Sequence, residues 1–348
     1  MTPSQGSPRN PTPDRSSDER PRLREVAEAA GVSVITASRC LSNPDRVSEK
    51  TRTRVLKVAA ELGYIPNRVA SGLVSSRTMV IGVVVPTIAN PIHSVLLEAF
   101  NAQIETQGYR TLLATTSYDA AKEADAVRTL LAYKVDALAL AGKVQSADAV
   151  RLLSVARVPV VEMFELHDAP VDLNVGLSNF DAGAALARYL LTRGRRAIAY
   201  ITHSGIDDSR MAARFAGFQE TAGAQPDVRL MEFTDSAPPG RLRESAISAI
   251  LSRFPDVDAI VCSGHQAAVS AIRILTDQGI DIPGRIAVSG FGDSPASCWV
   301  RPSLTTVAYP MAEIGAAAGK MLLARLGGEP LPKTQVDLGF EIIERTST

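Results

Sequence analysis

A doubly wound α/β body carrying a small all-helical head is the fold class this sequence predicts. Three observations lead there. Between Leu23 and Leu62, three short amphipathic helices follow one another. From Val80 onward, short apolar runs alternate with amphipathic helical stretches, the pattern of a parallel sheet covered on both faces. That alternation starts afresh at Ala197, which implies two subdomains with a cleft between them. At 348 residues and 45% hydrophobic, the chain is too long for one small core and apolar enough to fill several.

The head is read first. Leu23, Val26, Ala27 and Ala30 give the i, i+3, i+4, i+7 stripe of one helix. Gly31 permits a tight turn, and Ser33 caps a second helix from Val34 to Leu41. Asn43-Pro44 ends that helix. Ser48 caps a third, with Thr51 in its first turn, Val55, Val58, Ala59 and Leu62 on its buried face, and Gly63 at its end. Two helices joined by so short a turn form a helix-turn-helix, whose second helix enters the DNA major groove with its N-terminal residues at the base edges. Here those residues are Val34, Ile35, Thr36 and Arg39. Arg39 is suited either to guanine O6 and N7 or to a phosphate. Val34 and Ile35 donate no hydrogen bond; they are either thymine-methyl contacts or tolerated surface residues.

Charge points the same way. Residues 22–77 carry 10 Lys/Arg against 5 Asp/Glu, whereas residues 78–348 carry 24 against 29. A basic head on an acidic body is the footprint of a nucleic-acid binder. Cys40, Cys262 and Cys298 show neither metal nor disulfide spacing, which fits a reducing cytoplasm. No apolar run approaches the roughly 20 residues that span a bilayer. Residues 1–21 are rich in Pro, Ser and Arg and are expected to be a disordered tail, not a signal peptide.

In the body, strands are expected at Val80–Pro86, Thr111–Thr115, Ala137–Ala141 and Val158–Glu162, then at Ala197–Thr202, Ala259–Cys262 and Ile286–Ser289. A short return strand near Leu304–Val307 precedes a last helix, Pro310–Leu326. The chain is expected to cross between subdomains near Pro159–Glu165 and again near Phe291–Ser303. Ligands bind beyond strand C-terminal ends in such sheets. The loops concerned carry Asn90, Ile92 and His93; Lys143; Ser263, Gly264 and His265; and Phe291, Gly292 and Asp293. Asp207, Asp208, Arg210 and Arg214 belong to the segment around the start of a helix at Met211–Glu220.

LREVAEAAGVS, TASRCLSNP, VSEKTRTRV and LGYIPNRVASGL resemble the LacI–GalR family of repressors, and the resemblance runs to about Ile343. It implies a periplasmic-binding-protein-like effector domain at 79–348, a helix-turn-helix domain at 22–66 and a hinge and linker at 67–78. By the same resemblance, Asn67 to Val74 is a hinge helix that orders on operator DNA, and Leu73 is a lever that wedges into the minor groove. Gly72 beside it weakens the helix by about 1 kcal/mol relative to Ala. The residues expected at DNA are thus Leu23, Val34, Ile35, Thr36, Arg39, Ser48, Thr51, Asn67, Arg68, Ala70 and Leu73. Arg214, in an Arg-x-x-Gly-aromatic segment, matches the arginine that grips the effector in relatives; Ile92, His93, Lys143, Arg210, His265, Phe291 and Asp293 complete the expected effector set.

Two departures from the family pattern bear on the ligand. Many members read Asn-Asp where this chain has Gly264-His265, and many carry an acid where it has Gly292. A cleft short of carboxylates, with Arg214, His265 and Lys143 nearby, suits an anion. The segment PVVEMFELHDAPVDLNVGLSNFD (159–181), GVVVPTIANPIHS and VDLGFEII resemble the gluconate-utilisation repressors of the family, which implies a sugar-acid effector such as gluconate or 6-phosphogluconate. A neutral sugar or a purine is the alternative, and a sugar-binding protein that does not act on DNA a more distant one. The sequence holds no dinucleotide fingerprint, phosphate-binding loop, nucleophile elbow or metal spacing, so neither an enzyme nor a cofactor is expected. The expected assembly is a homodimer on a near-palindromic operator, joined through helix Ile92–Gln107 and residues near Leu275–Ile282, with no membrane partner.

Overall fold

The computed structural model describes residues 21–42, 47–65, 77–204, 208–237 and 241–348. The expected hinge contacts Asn67, Arg68, Ala70 and Leu73, all of the tail but Pro21, and Asp207 lie outside these residues. The chain divides into two units, one up to Thr78 and one from Met79.

Among the described residues, three helices build the first unit: α1 (Leu23–Ala29), α2 (Val34–Ser42) and α3 (Glu49–Glu61). Their apolar stripes close on one small core of Val26, Ala27, Ala30, Ala37, Cys40, Val55 and Ala59. Gly31 makes the turn at φ +63°, a conformation that costs other residues more. Ser33 Oγ accepts from the Thr36 amide at 3.1 Å, and Ser48 Oγ accepts from the Thr51 amide at 3.4 Å. Each cap satisfies a helix-terminal donor and contributes about 1 kcal/mol.

The second unit holds two six-stranded sheets. One contains β1 (Val80–Val85), β2 (Arg110–Thr115), β3 (Ala137–Leu140), β4 (Val160–Glu165) and β5 (Leu173–Leu177), together with β11 (Gln335–Asp337). Its order is β11-β5-β4-β3-β1-β2, and every pairing is parallel. The other contains β6 (Ala197–His203), β7 (Arg229–Asp235), β8 (Ala259–Cys262), β9 (Ala287–Phe291), β10 (Thr305–Ala308) and β12 (Glu341–Ile343) in the order β12-β10-β9-β8-β6-β7. Only its β10–β12 pairing is antiparallel. Helices α4 (Pro91–Glu105), α5 (Ala120–Ala132), α6 (Ala147–Ala156) and α12 (Met311–Gly327) belong to the first sheet. Helices α7 (Asn179–Thr192), α8 (Ser209–Gly223), α9 (Glu244–Arg253), α10 (His265–Asp277) and α11 (Pro295–Trp299) belong to the second.

The crossovers differ from those expected. The first comes after β5, between Leu177 and Asn179, not at Pro159–Glu165, which is β4 of the first sheet. The second lies between Ala308 and Met311, because β10 still pairs with β9 while α12 packs on α4 and β4. A third runs between Asp337 and Glu341. The early expectation failed because β5 (LNVGL) does not read as an apolar run. Its Asn174 is fully buried and acts as a hub: Nδ2 donates to the carbonyls of Glu162 and Glu165 at 3.1 and 2.8 Å, and Oδ1 accepts from Gln335 at 3.0 Å. A buried amide so satisfied costs little. Strands β7, β11 and β12 were also not expected, and α8 begins at Ser209, two residues before the expected start.

Close helix packing rests on small residues. A Cβ at Gly315 of α12 would lie 2.2 Å from the Leu96 carbonyl of α4. A Cβ at Gly183 would lie 1.9 Å from the Arg214 carbonyl, and one at Gly217 would lie 2.0 Å from the Phe180 carbonyl. Helices α7 and α8 therefore meet backbone to backbone, and this contact sets the position of Arg214.

Candidate functional site

Between the two sheets, at strand C-terminal ends, lies a cavity of about 460 Å³. From the first sheet's side come Asn90, Ile92 and His93 at the start of α4, Ser117 and Tyr118 after β2, and Phe164 of β4. From the second come Arg210 and Arg214 of α8, the Ser263–Ala267 turn into α10, and Phe291 of β9; Tyr309 enters from the second crossover. The size suits a small molecule.

Two buried arginines one turn apart on α8 dominate the chemistry. Arg210 is paired: Nε and Nη2 donate to the two oxygens of Asp208, each at 2.8 Å. Burial opposes the charge on both groups. Their mutual attraction outweighs it, holding the Asp208 carboxyl down to about 2 and raising Arg210 above its ordinary value. Arg210 also reaches the other subdomain, where Nη1 donates to the Ala141 carbonyl at 3.3 Å and the guanidinium lies 5.1 Å from the Phe164 ring centre. Its neighbour Ser209 extends this bridge, donating to Glu165 at 2.7 Å and accepting from Gln145 at 2.8 Å.

Arg214 is held differently. Nε donates to Asn179 Oδ1 at 2.8 Å and Nη1 to the Ser263 carbonyl at 3.0 Å, with the Phe291 and Tyr309 rings 5.4 and 5.3 Å away. It forms no salt bridge with any described carboxylate. Among the described residues lining the cavity, Asp208 is the single acid, against Arg210, Arg214 and Arg241, so these carry a net +2. Its three histidines add no charge near pH 7. Burial, with the Arg210 charge, pushes His93 down to about 4, and burial also lowers His203 and His265. His93 Nδ1 lies 2.6 Å from the Thr87 carbonyl, which requires a proton on Nδ1 and leaves Nε2 an acceptor. Ser117 and Tyr118 sit at φ +55° and +62° and Phe164 at +79°, so this wall holds backbone strain that packing must offset.

Six of the eight residues expected at the effector meet here: Ile92, His93, Arg210, Arg214, His265 and Phe291. Lys143 does not. It is exposed and borders a separate pocket of about 40 Å³, because the chain turns away after β3. Asp293 does not either, since Arg345 grips both its oxygens at 3.0 and 2.7 Å and holds it outside the cavity. His265, expected to supply positive charge, is buried and neutral. Tyr118, Phe164, Arg241 and Tyr309 were missed. Strand-end position could have flagged Tyr118 and Phe164; no local signal marks Arg241 or Tyr309. On the head, Val34, Ile35 and Arg39 stand exposed along α2, and Thr36, bonded to Ser33, is half-buried. Leu23 is packed against the head core, and Ser48 caps α3 by accepting from the Thr51 amide.

Comparison with known proteins ties these two surfaces to one family. Residues 22–67 match the family model described as bacterial regulatory proteins of the lacI family, and residues 187–348 match the periplasmic binding protein-like domain. The regulator GntR of Pseudomonas aeruginosa is 36% identical over 333 residues, covering 94% of this chain and 96% of that one. The chain belongs to the LacI family of bacterial transcriptional regulators. A LacI-family regulator from Silicibacter pomeroyi has the same fold, with a TM-score of 0.86 at 32% identity over 94% of this chain and 98% of that one. The lac repressor dimer bound to operator and an anti-inducer gives 0.78 at 25% identity, over 94% and 99%. As a LacI-family member, this chain is a DNA-binding transcriptional regulator and not an enzyme. Among the described residues, no helix is long and apolar enough to cross a membrane.

Proposed function

We propose that this LacI-family regulator is a repressor whose operator affinity is set by a sugar-acid effector, such as gluconate or 6-phosphogluconate, held in the cavity between the two sheets. The carrying observation is Arg214: buried, fixed by Asn179 and Ser263, and, among the described residues, without a carboxylate partner in a lining of net +2. A buried guanidinium without an anion is costly, and a ligand carboxylate or phosphate would complete it. The residues 159–181 that resemble gluconate-utilisation repressors favour the same ligand class.

The protein acts as a homodimer on a near-palindromic operator, in the cytoplasm at the nucleoid. Helix α2 of each head reads the major groove through Val34, Ile35, Thr36 and Arg39, while Leu23, Ser48, Thr51, Asn67, Arg68, Ala70 and Leu73 contact backbone and minor groove. Effector and operator must favour different states of the body for one to control the other, with coupling of about 1–3 kcal/mol.

Thermal unfolding against gluconate, 6-phosphogluconate, ketogluconates, neutral hexoses, pentoses and purines tests the ligand class. A ligand at 100 times its dissociation constant adds about 2.7 kcal/mol, a visible shift. Sugar acids alone should stabilise the protein, and Arg214→Ala should abolish that response. A shift with neutral sugars or purines alone overturns the sugar-acid reading and leaves the regulator intact.

A further inference from the structure

Three helices begin at the cavity, and their first turns are not equivalent. Helix α4 is capped by Asn90, whose Oδ1 accepts from the Ile92 amide at 3.3 Å. Helix α8 is capped by Asp208, whose Oδ1 accepts from the Arg210 amide at 3.0 Å. Helix α10 has Gly264 at its cap position and therefore no side-chain cap. Its first intrahelical bond runs from the Ala268 amide to the Gly264 carbonyl at 3.2 Å. The amides of His265, Gln266 and Ala267 precede that bond, and all three residues line the cavity.

Independent features flank this uncapped turn. Ser263 and His265, which line the cavity, are buried at 0% and 2% exposure, and Ser263 Oγ and His265 Nε2 have no partner among the described residues. Arg214, itself 7% exposed, donates to the Ser263 carbonyl next to the turn. Unpaired buried polar groups cost free energy until something binds them: Ser263 Oγ can donate to an oxyanion, and His265 Nε2, on a neutral ring that also bonds the Phe291 carbonyl, can accept from a ligand hydroxyl. Oriented amides, the positive end of a 13-residue helix and a guanidinium together favour an oxyanion.

We propose that the acid group of the effector is the missing N-cap of α10, bound by the amides that follow Gly264 and by Arg214. This rests on the anionic-effector reading above and adds to it the place of the charge. The group is a carboxylate or a phosphate, since both present the same acceptor oxygens.

Gly264 allows a clean test. Its φ of −154° is open to any residue, and a Cβ there would meet nothing within 4 Å. Gly264→Ala adds bulk without a cap; Gly264→Asp adds a carboxylate that caps α10 from within. Calorimetric titration of the full chain with gluconate, 6-phosphogluconate, glucose 6-phosphate and glucose then separates the cases. Gly264→Ala, whose Cβ enters the same space without supplying a cap, should lose less affinity than Gly264→Asp. Gly264→Asp should lose at least about tenfold while unfolding at or above the wild-type temperature. A loss for gluconate places the carboxylate at the cap; a loss confined to the two phosphorylated probes places the phosphate there. Gly264→Asp binding every acid within threefold of wild type overturns the proposal. Backbone amide resonances of His265–Ala267 that stay unmoved when wild type binds gluconate do so too. Wild type binding glucose as tightly as the acids sinks instead the anionic reading beneath it.

Discussion

The cavity's two arginine ends are built from the same residue type on the same helix, and they do opposite work. Arg210 has its counter-charge inside the protein, and its remaining donor, with Ser209 beside it, bridges the subdomains. Arg214 has a neutral amide and a carbonyl as its partners, and among the described residues no carboxylate pairs with it directly. A buried arginine with an acid serves the architecture. A buried arginine without one is poised for a ligand.

Removing the internal counter-charge should break that difference most severely. Asp208→Asn keeps the cap but leaves Arg210 buried and uncompensated, which should destabilise the body by about 3–5 kcal/mol in denaturant unfolding. Gluconate should then restore more stability than it adds to wild type, because the cavity holds two uncompensated guanidinium groups. Equal stability would show that the pair is not what holds Arg210.

Acid should come next. His93 has a folded value of about 4 against an ordinary 6.5, so between these pH values the unfolded chain binds the extra proton. Stability should therefore be full above about pH 6.5 and fall by up to about 3 kcal/mol as pH approaches 4. His93→Gln should flatten that limb of the stability curve. An unchanged slope would mean the imidazole is not held neutral by burial beside Arg210.

The smallest effect expected is at Ser209, whose hydroxyl links Glu165 and Gln145 across the cleft. Ser209→Ala should cost about 1 kcal/mol and weaken gluconate binding severalfold while leaving Arg214 in place. Small-angle scattering of the unliganded body should show it more open. Unaltered scattering and affinity would remove Ser209 from the bridge between subdomains.

Periodicity carried the head and the alternation of the body, because amphipathic stripes and apolar runs are local properties of the chain. Arg214 was legible through the Arg-x-x-Gly-aromatic segment it shares with the LacI family, and the structure gives that spacing a physical reason: the lack of a side chain at Gly217 lets α8 touch α7 and seats the arginine. Lys143 and Asp293 misled because loop position tells which residues lie near a strand end, not which way the chain turns or what else pairs with them. Asp293 is taken by Arg345, 52 residues away. Strand β5 was hidden because burying Asn174 requires partners from Glu162, Glu165 and Gln335, which no short window contains.

By itself, the sequence determined the helical head with its serine caps, the two series of strands and helices, and the arginine of α8. The head and the alternation depend on contacts within a few turns, and the arginine stands in a short segment shared with the family. Tertiary structure alone decided which charges in the cavity are already answered. Arg210 and Arg214 look alike in sequence, and so do the starts of α4, α8 and α10 to a reader who does not know that all three meet in one space. Whether a buried charge or an uncapped helix has a partner depends on atoms brought together from distant parts of the chain, and those the fold supplies.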